Sequence, residues 1–576
     1  MSTVMTSPST PGVWQRVLRG YGPLAALVVL LILVSILVPS KVPESGTLVN
    51  TDDTFGSSNS DPTSEDPVPG DGPSASDPNN PSSQPGAPGS NPNALPSRLA
   101  TGSAGKAGQK QPGKVVACPP DRPHQVPGDP YSPPCIGFTG DNGGATHQGV
   151  TDTEIKVSFR RLNERGFQQT LAELAGATIV DRPADIERTV MALAEYFNSR
   201  YQFYGRKLLF QFYDGTGSNT TELLGRGRDK AETDALKASE LKVFADLSGT
   251  SEPYANALTH KGILAFGTPY LSRKWHSERR PFAWSIATDG TKVANFGAEY
   301  AIKRMCGKKA EFAGGTGANA LKGRDRRFAT LVPTNPWYQE SVQVARTTFE
   351  KAGCDPGINR EYELDLGQMS NQAANIVAAL KNPSDGKGPV TTIFCGCDPI
   401  LPVFLSGAAA REGYFPEFVV VGTALTDHDI VGQLWNQDFA THAFGISSLT
   451  EPSPATQSLG YAAYKSVRKD EPAFSVELIY YQMAELAIGI HMAGPNLNPT
   501  TFEKGMFEYP PRLGPVGLWD FGPDDYTSAE DVREIYWDRN ATSNYNGKTG
   551  AYRDTNPGKR YKVGELPPGD PNIPPR

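Results

Sequence analysis

Short polar side chains and a glycine follow one apolar segment of this sequence, and they suit the binding of oxygen-rich groups. The segment LKVFADL is followed by Ser248, Gly249, Thr250 and Ser251, directly before a predicted helix. Hydroxyl groups, backbone amides and the positive end of a helix together favour a carboxylate or a similar ligand group. The same residue types also cap helices, so a purely structural role is the alternative.

Motifs of enzymes are absent from the sequence. It contains no Gly-x-Ser-x-Gly nucleophile elbow, no Walker A phosphate loop and no His-Glu-x-x-His metal site. The Gly-rich segment GTGSN at 215–219 follows a strand-like run but lacks the rest of the dinucleotide-binding fingerprint, so we interpret it as a turn. We predict a binding protein that is not an enzyme and that uses no cofactor.

Four of the cysteines are predicted to form disulfides between distant positions. Cys118 and Cys135 enclose a Pro-rich loop that has no hydrophobic pattern of its own, and a disulfide would order it. Cys306 and Cys354 each end a helix-like segment, and we expect them to pair across neighbouring elements.

Two further cysteines, Cys395 and Cys397, form a Cys-Gly-Cys motif. Two interpretations stay open, a local disulfide or two free thiols. A metal site is disfavoured because the 7 histidines provide no matching cluster of ligands.

The elements that position these residues alternate between strands and helices from about residue 149 onward. The strand candidates are EIKVSF, KLLFQFYD, LKVFADL, ILAFG, FATLVP, VTTIFCG and FVVVGT. Helical segments between them include DIERTVMALAEYFNSRY, NQAANIVAALKN and PILPVFLSGAAAREGYF. This alternation predicts an α/β fold with doubly wound parallel sheets. The number of units is too large for one such sheet, so two lobes fit better.

Charge and composition exclude some partners. The 576 residues carry a net charge of -7, with acidic and basic residues mixed along the globular part, so nucleic acid is not an expected partner. Hydrophobic residues make up 38% of the chain, which is enough to bury two cores.

An apolar run at 24–38, preceded by Arg16 and Arg19, is the one segment of membrane quality. It predicts a signal anchor at 24–40 with residues 1–23 in the cytoplasm, so the globular part lies outside the cell membrane on a single-pass anchor. A cleaved signal peptide is the alternative.

Other stretches are predicted to lie outside the α/β domain. A disordered Pro/Gly/Ser linker at 41–116 follows the anchor, because its composition cannot bury enough apolar surface to fold. A disulfide-bearing lead-in at 117–148 precedes the domain at 149–545, and a Pro/Gly-rich tail at 546–576 ends the chain.

The order of segments from Gly149 to Thr542 resembles the type I periplasmic binding proteins, in particular those that bind branched-chain amino acids for ABC importers. No single motif carries the resemblance, which lies in six segments that occur in the family's order. They are GVTDTEIKVSF, ALAEYFNSRYQFYGRKLLFQFYDG, LKVFADLSGTSEPYANALTHKGILAFGTPYLS, RFATLVPTNPWYQESVQVARTTFEKAGC, TTIFCGCDPILPVFLSGAAAREGYFPEFVVVGT and GPVGLWDFGPDDYTSAEDVREIYWDRNAT.

The resemblance implies a fold and a function. The chain would cross three times between lobe 1, at 149–288 and 446–520, and lobe 2, at 289–445 and 521–545. The function implied is that of an extracytoplasmic solute-binding protein, an actinobacterial and membrane-anchored member of the family. It would close on a small polar ligand, such as an amino acid, an amide or a small organic acid, and serve an ABC permease.

The resemblance also implies ligand contacts on the first lobe. Ser248 matches a position where the family carries a hydroxyl. Thr268, Tyr270 and Ser272 follow ILAFG at the neighbouring strand end, where the family offers a second polar contact.

On the second lobe, Tyr338 matches a tyrosine near the family's cleft, and Asp398 follows the segment TTIFCG on the side that faces the cleft in the resemblance. Each has a structural alternative. Tyr338 could be core packing, and Asp398 could cap the helix that begins after it.

One departure from the family bears on the ligand. Amino acid binding members place a carboxylate directly after the strand that corresponds to FVVVG, whereas Thr423, Ala424 and Leu425 stand here. Either Asp398 with the segment 427–429 replaces that carboxylate, or the ligand carries no ammonium group, because an unpaired buried cation is strongly unfavourable.

A second function competes with transport. The same two-lobed fold serves receptors, and no cysteine follows the apolar run to carry a lipid anchor. A membrane-tethered sensor or a cell-surface binding module is therefore the alternative to an importer subunit.

Overall fold

A computed structural model of the protein describes five stretches of the chain, 100–101, 118–119, 122–162, 181–267 and 270–574. All described residues belong to one compact unit within Asn91–Arg576. Among the described residues, none of the helices is both long and apolar enough to cross a membrane. The predicted anchor at 24–40 lies outside the described residues, as does the predicted linker at 41–116 apart from its short stretch at 100–101.

The first sheet consists of five parallel strands. They are β1 (Glu154–Arg161), β2 (Lys207–Asp214), β3 (Ala245–Asp246), β4 (Leu264–Phe266) and β5 (Ala283–Trp284). Their order across the sheet is β2-β1-β3-β4-β5. Apolar side chains are buried on both faces: in β4, Leu264 and Phe266 join one core cluster, and Ala265 joins another. Burial on both faces explains why these strands read as continuous apolar runs.

Five helices connect the strands of the first sheet. They are α1 (Pro183–Arg200), α2 (Asn219–Leu223), α3 (Arg228–Glu240), α4 (Glu252–His260) and α5 (Arg273–Glu278). In α1, Pro183 occupies the first turn, where its fixed φ suits a helix, and Val190, Leu193 and Phe197 recur on one buried face.

The second sheet repeats the strand order of the first and adds two antiparallel strands. Its strands are β6 (Phe328–Pro333), β7 (Ile358–Tyr362), β8 (Thr392–Cys395), β9 (Glu417–Val420), β10 (Ala443–Ser447), β13 (Arg533–Thr542) and β14 (Thr549–Asp554), and a separate hairpin contains β11 (Arg512–Gly514) and β12 (Gly517–Trp519). The order across the sheet is β14-β13-β10-β9-β8-β6-β7. β6 to β10 are parallel, whereas β13 pairs antiparallel with both β10 and β14.

The later helices divide between the two sheets. Those near the second sheet are α6 (Gly290–Arg304), α7 (Pro336–Lys351), α8 (Met369–Lys381), α9 (Leu401–Arg411), α10 (Asp429–Gln433) and α11 (Gln437–Ala440). Those that return to the core of the first sheet are α12 (Leu459–Lys465), α13 (Val476–Ala493) and α14 (Pro499–Phe507). Short 3-10 turns cover Gly317–Asn319, Thr423–Leu425 and Ala455–Gln457.

The chain forms two lobes. Lobe 1 contains β1–β5, α1–α5, α12–α14 and the hairpin, and lobe 2 contains the second sheet with α6–α11. The chain passes between them after β5, after β10 and after β12. The first and third passages lie side by side, because the N–H of Ser285 donates to the carbonyl of Tyr526 at 3.1 Å. The predicted alternation of strands and helices around parallel sheets is confirmed.

One predicted strand is much shorter than its apolar run. LKVFADL spans seven residues of the sequence, but the strand covers only Ala245–Asp246. Leu241 caps the end of α3, and Lys242 has a φ of 52°. The first residues of LKVFADL therefore belong to the end of α3 and to this turn, and not to the strand.

The predicted lead-in is part of the core of lobe 1. Tyr131 is 1% exposed, and its hydroxyl donates to the carbonyl of Gly517 in the hairpin at 2.7 Å. The hydroxyl of Tyr480 in α13 donates to Asp129 at 2.7 Å. The short strand Phe138–Thr139 also pairs in parallel with Ala100–Thr101.

All the cysteines form disulfides. Cys118 is bonded to Cys135, as predicted, and Cys306 is bonded to Cys354. Cys395 is bonded to Cys397, so of the two interpretations of the Cys-Gly-Cys motif the structure has the local disulfide.

The predicted tail at 546–576 is wrong as a description of the C-terminus. β14 extends the second sheet, and the segment after it lies along α6, where Leu566 is 1% and Ile573 is 8% exposed. The N–H of Leu566 donates to Glu299 of α6 at 2.9 Å. Isolated apolar residues between prolines have no helical or strand period, so the sequence pattern did not indicate this packing.

Candidate ligand-binding cleft

A cavity of about 1020 Å³ lies between the lobes at the carboxyl ends of their parallel strands. The segments that follow β1, β3, β4 and β5 line it from lobe 1, and those that follow β9 and β10 line it from lobe 2. Open α/β sheets bind ligands at this edge, where the loops are not paired to the sheet. The volume is large for a small-molecule site, for which a few hundred to about 1,000 Å³ is usual.

Ser248 lies in the cleft wall, and its hydroxyl group makes two hydrogen bonds within lobe 1. The hydroxyl donates to Asp246 at 2.6 Å and accepts the N–H of Arg160 at 2.8 Å. Burial raises the pKa of Asp246, and hydrogen bonds from Ser158, Ser248 and Tyr254 oppose that rise. The bonds of Ser248 therefore hold the loop after β3 in place.

Arg160 is the buried arginine of this wall, and carboxylates of lobe 1 neutralise its charge. Its two terminal nitrogens each donate to Glu222 at 2.8 Å, and one also lies 3.3 Å from Asp234. The guanidinium stands over the ring of Tyr254, 3.6 Å from its centroid. Paired in this way, Arg160 organises the wall and has little capacity to bind an anionic ligand.

A polar side chain without a hydrogen-bond partner among the described residues also lines this wall. Gln482 of α13 is 4% exposed, lines the cleft, and makes no side-chain hydrogen bond to any described residue. Gly267, with a φ of 105°, lies against this amide, and a Cβ there would collide with it and would lie 3.3 Å from the methyl group of Thr250. Gln482 and Thr250 thus flank a position that only glycine fits.

The wall of lobe 2 carries a carboxyl group with one free oxygen. Asp427 is 2% exposed and accepts a hydrogen bond from the hydroxyl of Ser447, while its other oxygen has no partner among the described residues. Burial raises the pKa of Asp427. His428 beside it accepts the N–H of Ile430, and burial lowers the pKa of this imidazole.

Three of the predicted ligand residues line the cleft, namely Ser248, Thr250 and Tyr270. Gly249 lies between the first two, and a Cβ there would come within 3.1 Å of the backbone of β4. Thr268 lies outside the described residues.

Ser272 and Tyr338 are not among the residues that line the cleft. The hydroxyl of Ser272 accepts the N–H of Trp275 at 3.1 Å as the cap of α5, and it donates to Glu340 of lobe 2. The ring of Tyr338 stacks on Tyr270. Both residues thus join the lobes beside the cleft, and packing, the alternative for Tyr338, matches its position.

Asp398 does not line the cleft either, because its carboxylate is used within lobe 2. One oxygen accepts the hydroxyl of Tyr362, and the other accepts the N–H of Ile400 at 2.7 Å. This second bond is that of a helix cap, which is the structural alternative for Asp398. Asp398 is therefore not a candidate for a ligand ammonium.

Apolar side chains that no sequence motif marked form much of the cleft wall. Six of them are Phe159, Ile186, Phe212, Phe474, Leu478 and Trp519. Phe159 and Phe212 are paired in register near the carboxyl ends of β1 and β2. The strand pattern of the sequence could have identified these two residues. No local sequence pattern marks Phe474, Leu478 and Trp519, which belong to a later part of the chain that also lines this wall.

No protein-family model matches the sequence, and no curated protein matches it. Among solved structures, it is similar to a solute binding protein of an ABC transporter from Rhodopseudomonas palustris BisB5 in complex with 3,4-dihydroxybenzoic acid. The identity is 12%, the match covers 71% of this chain and 98% of that chain, and the TM-score is 0.45.

Two other solved structures are similar at the same level. One is the leucine-, isoleucine-, valine-, threonine- and alanine-binding protein from Brucella ovis in its closed conformation, with 14% identity, 73% and 98% of the two chains covered and a TM-score of 0.44. The other is a fatty acid ABC transporter substrate-binding protein from Thermomonospora curvata, with 14% identity, 72% and 95% covered and a TM-score of 0.46. Identities this low assign no ligand.

Metal binding finds no support in the described part of the chain, where no three His, Cys, Asp or Glu side chains cluster as metal ligands would.

Proposed function

We propose that the protein is an extracytoplasmic solute-binding protein, which captures a ligand between its two lobes and presents it to an ABC importer. The observation that carries the proposal is the cleft of about 1020 Å³ at the carboxyl ends of two parallel sheets that share one strand order. Ligands bind at this edge of open α/β sheets. The order of the sequence segments and the transporter proteins among the similar structures agree with it.

Capture would depend on ligand contacts that form only when the two lobes are closed. Gln482 and Thr250 belong to lobe 1, and Thr423 and Asp427 to lobe 2, so one ligand contacts both sets only when the lobes approach each other. Binding energy then favours the closed state to the extent that the ligand binds it better than the open state. The passages at 285–289 and 520–532, which are bonded to one another, are the natural hinge.

We also propose that the segment at 24–40 anchors the protein in the cell membrane, with the lobes outside. The apolar run with Arg16 and Arg19 before it supports this orientation. The disulfides of the described residues give independent support, because disulfides persist in oxidising compartments outside the cytoplasm.

The test combines a ligand screen with a measurement of shape. A thermal-shift screen of the purified protein against amino acids, amides, ureas and organic acids identifies compounds that bind the folded state. X-ray scattering should then show a smaller radius of gyration with the bound compound. Uptake of that compound should fall in cells that lack the protein. A verified ligand that leaves the radius of gyration unchanged would contradict closure, and unchanged uptake would contradict the importer.

A further inference from the structure

The walls of the cleft also indicate which class of ligand it takes, and this step rests on the proposed function. Phe474 and Leu478 are 38% and 37% exposed although they lie in a concave part of the molecule. Phe159 and Phe212 stand beside each other near the ends of β1 and β2, with ring centroids 5.9 Å apart. Exposed apolar surface of this kind inside a cavity indicates a ligand that covers it.

The cleft has room for a molecule larger than a free amino acid. Cavities of a few hundred to about 1,000 Å³ enclose molecules of drug size, which are several times larger than leucine. The cleft has about 1020 Å³. An extended or polycyclic ligand body therefore fits in the cleft beside Phe159 and Leu478.

The charges of the lining disfavour an acidic ligand. Each arginine of the lining is already paired with a carboxylate of the protein. The pairs are Arg160 with Glu222, Arg161 with Glu187, Arg182 with Asp185 and Arg533 with Asp554. Among the described residues, the lining contains no lysine. A carboxylate buried beside Arg160 or Arg533 would compete with a buried carboxylate of the protein for the same guanidinium, which disfavours an acidic ligand in that part of the cleft.

The charges do not favour a cationic ligand either. Asp429 of the lining accepts hydrogen bonds from the hydroxyl of Ser543 and the N–H of Tyr552, so its carboxylate is engaged within lobe 2. Burial raises the pKa of Asp427 and of Glu477, two further acidic residues of the lining, which disfavours their charged forms. The polar group best placed for a ligand is instead the neutral amide of Gln482, which is buried, unpartnered among the described residues and adjacent to Thr250.

We infer that the cleft binds an uncharged, mainly apolar molecule larger than an amino acid, whose hydroxyl, carbonyl or amide group is held by Gln482. The ring or chain of the ligand covers Phe159, Phe474 and Leu478. This ligand class differs from the small polar molecule that the sequence resemblance implies, and the difference follows from side chains that the family motifs do not include.

The experiment uses N-phenyl-1-naphthylamine, an uncharged probe that fluoresces in apolar surroundings, and progesterone, an uncharged polycyclic ketone. Leucine, decanoate and 4-hydroxybenzoate serve as charged competitors. The expected result is that the probe binds, that progesterone displaces it and reduces the radius of gyration, and that the charged compounds do neither at tenfold higher concentration.

Variants locate the binding. Leu478→Gln should weaken probe binding at least fivefold, whereas Leu513→Gln, a change at a leucine that is 68% exposed outside the lining, should leave it within twofold. Gln482→Leu should weaken progesterone binding about two- to tenfold, the usual effect of one lost hydrogen bond. Gln343→Leu on the exposed side of α7 is the matched control. Thermal unfolding confirms that each variant is folded.

Two results would overturn the inference in different ways. If leucine or an acid contracts the protein and the uncharged compounds do not bind, the ligand class is wrong while the proposed function stands. If the probe binds equally to the Leu478→Gln and Leu513→Gln variants and no compound contracts the protein, the cleft is not a capture site and the proposed function falls too.

Discussion

The ring of Tyr270 in lobe 1 lies stacked on the ring of Tyr338 in lobe 2, with centroids 5.6 Å apart and planes inclined by 16°. Tyr270 follows β4 with a φ of 60°, and Tyr338 stands in the first turn of α7. Beside them, the ammonium of Lys274 lies 3.0 Å from Glu340. The lobes are therefore already in contact beside the cleft, and the aromatic pair belongs to that contact.

The first prediction concerns this stack. Tyr338→Ala should lower the free energy of unfolding by about 3 kcal/mol, because a large buried ring is lost together with its stacking partner. Tyr338→Phe keeps the ring and should change stability by less than about 0.5 kcal/mol. Urea unfolding of both variants measures the difference. If the Phe variant were as unstable as the Ala variant, the hydroxyl and not the stack would hold the lobes.

Much of the fold could be predicted because its strands are short apolar runs. EIKVSF and KLLFQFYD became β1 and β2 with their predicted lengths almost unchanged. The same approach failed at the C-terminus, where Leu566 is buried without any periodic pattern around it. Hydrophobic periodicity detects elements that bury one face, and it does not detect single residues that fill a hole in another element's surface.

The candidate site could be predicted only where it lies on loops that follow strands. Ser248 and Thr250 were found in this way, because the carboxyl end of a strand identifies them locally. Leu478 and Trp519 come from the later chain, which returns to lobe 1 after building most of lobe 2. The neighbours of Leu478 and Trp519 depend on the path of the chain between the lobes, and no local sequence pattern predicts that path.

The second prediction concerns the buried ion pair of the cleft wall. The side chains of Arg160 and Glu222 are 1% and 0% exposed. Glu222→Gln should lower the free energy of unfolding by about 3 kcal/mol, since it leaves a buried guanidinium with less compensation. Glu195→Gln removes the partner of Arg468 in a pair that is 36% and 54% exposed, and should cost less than about 1 kcal/mol. Urea unfolding measures both free energies. If the two variants lost equal free energy of unfolding, the buried pair would contribute no more to stability than the exposed pair.

The third prediction concerns pH and the passage after β12. Glu530 there contacts Lys292 of α6, and burial raises the pKa of this carboxyl to about 7, above its ordinary 4.5. A carboxyl with a higher pKa in the folded chain binds more protons when folded. Its contribution to stability is therefore complete below pH 4.5 and is lost as the pH rises through 7.

Glu530→Gln should remove this loss. Between pH 4.5 and pH 7.5, the free energy of unfolding of the unmodified protein should fall by roughly 1 to 3 kcal/mol more than that of the variant, at about 1.4 kcal/mol for each unit of pKa. Asp524→Asn, a change at an exposed neighbour, is the control and should keep the slope of the unmodified protein. Parallel pH profiles for all three proteins would mean that Glu530 titrates normally.

The last prediction concerns the segment after β14. Leu566 is 1% exposed and Val563, three residues earlier, is 49% exposed. Leu566→Ala should lower the free energy of unfolding by about 2 kcal/mol or more, whereas Val563→Ala should change it by less than about 0.5 kcal/mol. Both variants shorten an aliphatic side chain in one segment, so their difference reports its docking on α6. Proteases should also cut the segment faster in the Leu566→Ala variant. If both variants match the unmodified protein in stability and cleavage, the segment is the free tail that its composition predicts.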